Sequence, residues 1–270
     1  MKKLLCFICL IVTCITFTGC FNTKDENTLI VGASSTPHAD ILRFVKEDFE
    51  SFGYKLEIKV YSDYVLPNSA LAAGDLDANF FQHLPYLLSF NKDNGTNLVS
   101  ACAVHYEPMG IFGKNLTNLS SIPANTKIII PADGTNQTRA LLLLAQNGII
   151  TLKDGVNVST GATPNDILNS NGHNVIAVEA ATIPAQFNYS ENGTIAVING
   201  NYALSAGIAI STALAIESKD GESATTYANI IAVRAGDENR GAIQKLVELL
   251  TNEKTKQFIT NNYSGAVLPI

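Results

Sequence analysis

The chain is 270 residues long, with 18 basic and 24 acidic side chains and a formal charge of −6. Taking Lys2 and Lys3 away with an N-terminal leader leaves 16 basic against 24 acidic, or −8, a balance that argues against a nucleic-acid partner or a basic membrane-binding face. Of five cysteines, Cys6, Cys9, Cys14 and Cys20 lie in or at the end of the first apolar run. Only Cys102 remains, so the folded part has no internal disulfide and no cysteine-based zinc site.

Lys2 and Lys3 supply the basic start of an export signal, and Leu4–Phe17 its apolar run, too short for a spanning helix. It ends Thr16-Phe17-Thr18-Gly19-Cys20. A small residue and then Cys after an apolar run resembles the lipobox of bacterial lipoproteins, in which the Cys thiol is lipidated. The alternative is a plain cleaved signal with an incidental Cys. Residues 1–19 are thus the expected leader, and 20–28 the lipidated Cys20 with a polar tether. Lipid chains contribute about 0.8 kcal/mol per buried methylene, so a multiply acylated Cys20 stays in the membrane.

Strands and helices then alternate. Leu29–Ala33 reads as a short apolar strand. Pro37–Phe52 has apolar residues at helical spacing and stops at Gly53. Leu56–Val60 alternates as a strand, and Pro67–Ala73 reads as a helix. Asp77–Phe80 is a short buried strand, followed by a helix over Pro85–Phe90. Leu98–Val104 is a strand that makes Cys102 a small buried hydrophobe. Thr126–Ile130 is a strand leading to the helix Asn136–Gln146. Asn174–Val178, Thr194–Ile198 and Ile230–Val233 are further strands. Two amphipathic helices, Asn239–Leu250 and Glu253–Asn261, close the chain. This order predicts an α/β fold with mostly parallel sheets, which bind ligands beyond the carboxyl ends of their strands. His38, Tyr64, Phe81, His83, the segment Asp133–Arg139 and Asn199 all fall at such ends.

Gly74–Tyr86 (Gly-Asp-Leu-Asp-Ala-Asn-Phe-Phe-Gln-His-Leu-Pro-Tyr) packs two aromatics, an imidazole, an amide and a phenol into thirteen residues. Its turn and strand deliver Phe81, His83 and Tyr86 to one place. Asp133-Gly134-Thr135-Asn136 opens a helix whose free N–H groups attract a carboxylate. Arg139, read in the first turn, adds a bidentate fork; the alternative is a solvated surface Arg. Asn199-Gly200-Asn201-Tyr202 follows a buried strand, where an Asn accepts from an ammonium or donates to a carboxylate; the alternative is a simple Asn-Gly turn. Glu179 faces the same cleft or caps a helix. Gly-x-Ser-x-Gly, phosphate-loop and His-Glu-x-x-His motifs are missing, which argues against an enzyme. His38, His83, His105 and His173 show no ligand spacing, so neither metal nor cofactor is expected.

In order along the chain, Asp63-Tyr64-Val65-Leu66-Pro67-Asn68, Gly74–Tyr86, Glu107-Pro108-Met109-Gly110, Thr135–Leu144, Leu152-Lys153-Asp154-Gly155-Val156 and Ala196–Ala203 resemble the MetQ/NlpA family of methionine-binding lipoproteins of bacterial ABC importers. The resemblance implies two α/β lobes closing on one amino acid, with one discontinuous lobe of 29–108 and 203–270 and a second of 109–202. It implies Tyr64, Phe81, His83 and Tyr86 around a thioether, Arg139 with Asn136 on the α-carboxylate, and Asn199 with Asn201 at the α-amino end. It also implies a monomer without enzymatic activity, held to a membrane by its lipid and serving a permease with a separate ATPase subunit. Ser34-Ser35 and the Gln137-Thr138 pair depart from the commoner pattern. L-methionine is the first choice; D-methionine and a methionyl dipeptide stay open. So does a surface antigen or adhesin that keeps the fold without transport coupling, whereas a two-lobed hydrolase lacks its nucleophile motif.

Overall fold

The computed structural model describes residues 27–220 and 222–270. The leader and Cys20 lie outside the described residues. Among those described, no helix is long and apolar enough to cross a membrane.

The chain begins with β1 (Thr28–Ser34), α1 (Asp40–Ser51), β2 (Lys55–Tyr61), α2 (Leu66–Ala73), β3 (Ala78–His83), α3 (Leu84–Asn94) and β4 (Leu98–Tyr106). It crosses to β5 (Gly110–Gly113), β6 (Lys127–Pro131) and α4 (Gly134–Gln146). A small ribbon of β7 (Thr151–Leu152) and β8 (Ile167–Asn169) precedes β9 (Asn174–Val178), α5 (Ile183–Asn188), β10 (Ile195–Ile198), α6 (Gly200–Ser205) and β11 (Ala215–Ile216). After the short α7 (Glu222–Thr226) the chain returns through β12 (Ala228–Arg234), α8 (Gly241–Thr251), α9 (Glu253–Tyr263) and β13 (Leu268–Pro269).

Two sheets result, ordered β13-β4-β12-β3-β1-β2 and β11-β5-β10-β6-β9. The fold is α/β and two-lobed, with a cleft between the lobes. The expectation of mostly parallel sheets needs correction, because β12 runs antiparallel to both β3 and β4, and β5 antiparallel to β10 and β11. These strands arrive through crossovers from the other sheet, not through a covering helix, so nothing imposes a parallel approach. The return boundary also differs from 203. Ala215–Ile216 still pairs with Gly110–Ile111 in the second sheet, so the chain crosses back after Ile216.

Each sheet is covered by helices, which is why its strands read as continuous apolar runs. In the first lobe Ile41, Leu42, Val45 and Phe49 of α1 and Ile243 and Leu246 of α8 pack on Leu29, Val31 and Phe80. Cys102 is half-buried against this core, and burial pushes its thiol up to about 12. In the second lobe Ile128 and Ile130 pack on Leu141 and Leu144 of α4. The opposite face presents Ile129, Ala196 and Ile198 to Ile183 and Phe187.

Candidate functional site

The chain crosses between the sheets at 107–109 and again after Ile216, and a cavity of about 340 Å³ lies in the cleft. Its lining includes Tyr64, Phe81, His83, Tyr86, Asn136, Arg139, Asn199 and Asn201, so all eight expected residues meet around one space. Gln82, Glu107, Gly200 and Asn229 complete it.

Local folding explains these positions. Asp63 accepts from the backbone N–H groups of Val65 and Leu66 at 2.8 and 2.9 Å, which starts α2 and fixes the loop carrying Tyr64. The strand after it is longer than expected and runs to His83, so Phe81 and His83 lie within it. Ile230 pairs with Gln82 and Ile231 with Phe80, which leaves Phe81 as the extra residue of a β-bulge. Bulges re-aim a side chain, and this one lines the cavity. A buried amide network of Asn68, Asn79 and Gln82, with contacts of 2.7–2.9 Å, ties the strand to α2.

His83 ends β3 and caps α3. Its Nδ1 accepts from the Tyr86 N–H at 3.2 Å, which leaves Nε2 as the donor to Asn136 Oδ1 at 3.3 Å. Burial, with Arg139 nearby, lowers its pKa to about 3, so the ring is neutral at pH 7. The Tyr86 hydroxyl donates to the Tyr64 carbonyl at 3.0 Å, and the Tyr64 hydroxyl donates across the cleft to Asn201 Oδ1 at 2.5 Å.

Asp133 caps α4 by accepting from the Asn136 N–H at 3.0 Å and from its Nδ2 at 2.8 Å. Asn136 Oδ1 also accepts from Asn199 Nδ2 at 2.8 Å. Asn136 is therefore heavily committed inside the protein and orients its neighbours. Arg139 sits one turn into the helix, not in the first turn, and is buried. Its Nε donates to Glu217 Oε1 at 2.6 Å, and its Nη2 donates to Glu217 Oε2 at 2.5 Å and to the Glu107 carbonyl at 2.8 Å. The guanidinium stacks 4.4 Å from the Tyr227 ring centroid. Arg139 also lines the cavity.

Two buried side-chain atoms of this group have no hydrogen-bond partner: the acceptor Asn199 Oδ1 and the donor Asn201 Nδ2. Burying such groups unpaired costs about 1–3 kcal/mol each. Together with Arg139 they present what a zwitterion needs.

Beneath the cavity, His105 Nε2 contacts Glu107 Oε1 at 2.7 Å, while His38 Nε2 lies 3.4 Å from Oε1 and 2.9 Å from Asn229 Oδ1. Burial lowers His38 to about 4 and His105 to about 3, and raises Glu107 to about 6. His38, His105 and Glu107 bring one ligand-type atom each within 4.8 Å of one another, but these contacts are those of a hydrogen-bonded network. Gly200 permits Glu107 to approach α6, since a Cβ there would stand 2.8 Å from the Glu107 Cβ.

Sequence reasoning missed Glu107, Glu217, Asn229 and Tyr227. Asn229 had a signal, as a polar residue opening the apolar run Ile230–Val233. Glu107 lay inside a motif already singled out. Glu217 and Tyr227 had none. Glu179 lines an outer hollow beside Tyr64 and Tyr86.

The NlpA lipoprotein family matches residues 29–270. The methionine-binding lipoprotein MetQ of Bacillus subtilis is 38% identical over 269 residues, covering 99% of this chain and 96% of that protein. A nutrient-binding protein of Burkholderia cenocepacia, solved bound to methionine, superposes with a TM-score of 0.83 at 36% identity, covering 89% of this chain and 99% of its own. A periplasmic substrate-binding protein of an ABC transporter from Coxiella burnetii gives 0.81 at 33% identity, covering 90% and 100%.

Proposed function

This chain belongs to the NlpA lipoprotein family, and we propose that it is the lipid-anchored solute-binding component of an ABC importer, taking methionine into its cavity and delivering it to a membrane permease. It is a binding protein and not an enzyme. Energy for transport comes from a separate ATPase subunit. The protein acts as a monomer on the extracytoplasmic side of a bacterial membrane, held by lipid on Cys20.

The observation that carries this reading is the division of the cavity into two chemistries. One end has the Arg139 side chain, with the unpartnered Asn201 Nδ2 and Asn199 Oδ1. The other has the rings of Tyr64, Phe81 and Tyr86. The α-carboxylate takes the two donors, and the α-ammonium takes Asn199 Oδ1 and the Glu107 carboxylate. Asn201 thus serves the carboxylate, through its donor, and not the amino end that the resemblance implied. Asn136 acts by orienting His83 and Asn199. A polarizable thioether suits the aromatic corner, and the zwitterion exchanges water for paired groups.

Calorimetric titration of the detergent-solubilised full chain with L-methionine, D-methionine and a methionyl dipeptide tests this, with native mass spectrometry to read stoichiometry. One L-methionine per monomer, bound tightest of the three, is the expected result. Tighter binding of another member of the panel reassigns the ligand, and no binding by any of them removes the reading.

A further inference from the structure

The aromatic end of the cavity has more chemistry than a thioether requires. Tyr64, Phe81 and Tyr86 stand with ring centroids 5.8–6.0 Å apart and planes inclined by 38°, 67° and 80°. They make a corner of inclined rings, with Tyr202 4.7 Å behind Tyr64. Tyr64 and Tyr86 also line an outer hollow of about 600 Å³ with Asp133 and Glu179. The surrounding field is negative, since Asp133 and Asp63 add to burial in raising the Tyr86 phenol. Arg139 lines the same cavity from the side of Tyr227. His83 stands between Arg139 and the corner, 6.4 Å from the Tyr86 ring and 5.2 Å from the Tyr227 ring on which Arg139 stacks.

Inclined aromatic faces backed by carboxylates attract a soft cation. They suit one kind better than another. A primary ammonium leaving water gives up strong hydration and must find acceptors for three N–H groups, for which the rings themselves offer only the two tyrosine oxygens. A sulfonium has no N–H to satisfy and is weakly hydrated.

We propose that this cavity also accepts α-amino acids whose side chain ends in a sulfonium, the smallest being S-methylmethionine. This rests on the amino-acid reading above. The ligand has the same zwitterionic end for Arg139, Asn199 and Asn201. Its extra methyl points toward the outer hollow that shares Tyr64 and Tyr86.

The test titrates the detergent-solubilised full chain with methionine, norleucine, S-methylmethionine and lysine. S-methylmethionine is expected to bind within about tenfold of methionine, with no lysine binding. Phe81→Leu removes one ring face and should weaken S-methylmethionine at least about fivefold more than neutral norleucine. Should that variant fail to fold, Tyr86→Leu serves the same comparison. Methionine binding without S-methylmethionine binding, or equal losses for both ligands in the ring variant, overturns the sulfonium proposal and leaves the methionine reading standing. Failure of both methionine and S-methylmethionine to bind overturns the amino-acid reading, and this proposal with it.

Discussion

Arg139 and Glu217 meet as a fork against a carboxylate, with Nε to Oε1 at 2.6 Å and Nη2 to Oε2 at 2.5 Å, both side chains buried. The pair joins a helix of the second lobe to the return crossover. Glu217 Oε2 also accepts from the Met109 N–H at 2.8 Å and lies 3.1 Å from the Tyr106 hydroxyl, so the two crossovers are bonded to each other. Arg139 reaches the first crossover as well, through the Glu107 carbonyl. Arg139, which lines the cavity, thus also ties the two crossovers together.

That double duty separates binding from stability. Arg139→Ala leaves Glu217 buried and unpaired and should cost about 3–5 kcal/mol of folding stability. Removing the charge for the ligand carboxylate should cost a similar amount of binding energy. Adding Glu217→Gln should recover much of the stability, because the stranded charge is gone, but none of the affinity. Denaturant melts and calorimetry on both variants measure the two quantities. Affinity within a few-fold of wild type in Arg139→Ala would remove Arg139 from the ligand site.

Acid should destabilise the folded chain. His38, His83 and His105 have folded pKa values of about 4, 3 and 3, below the ordinary 6.5. Between pH 6.5 and these values the unfolded chain binds more protons than the folded one, so stability falls as pH falls. Glu107 works the other way, with a folded value of about 6 against 4.5. Its contribution is present below 4.5 and lost as pH rises through 6. Three histidines outweigh one glutamate, and Tm should drop by several degrees from pH 7 to pH 5. His83→Gln should flatten this profile. A Tm that rises over the same interval would mean that the histidines are charged in the folded state.

The longer helices and most strands of the two main sheets were legible because they depend on local spacing, whereas the short α5, α6 and α7 and the true end of β3 were not. Ile41, Leu42, Val45 and Phe49 mark α1 from sequence alone, and His83-Leu-Pro-Tyr86 contains a cap and its helix start. The bulge at Phe81 was not legible, because it is set by the register against Ile230 and Ile231, some 150 residues away. The Arg139–Glu217 pair spans 78 positions and joins a helix to an irregular crossover, so no periodicity reports it. Asn199 and Asn201 announced themselves as polar groups after a buried strand. Which of their atoms would be left unpaired depended on Asn136 and Tyr64, which only the folded chain brings to them.

The anchor is tested by Cys20→Ala. Gly19-Cys20 closes the apolar run, so the variant should lose labelling by radioactive palmitate and leave the membrane fraction. Without acyl chains no described helix can hold it there. Continued labelling of the Cys20→Ala protein would move the modification elsewhere.

Neutral and charged side chains should form a graded ladder in a thermal-shift panel, since a ligand that binds only the folded state raises Tm by mass action. Methionine stands at the top. Leucine is close in volume but lacks the sulfur contact with Tyr64, Phe81 and Tyr86, worth about 0.3–1.5 kcal/mol, so its shift should be smaller but measurable. Glutamate would bring a carboxylate to a corner already made negative by Asp63 and Asp133. Lysine would bring an ammonium that gives up strong hydration and needs acceptors for three N–H groups. Glutamate would meet like charge and lysine would lose more hydration than the corner returns, so neither should shift Tm. A shift for glutamate or lysine that exceeds the one for methionine would mean that the side chain of the ligand does not lie against these rings.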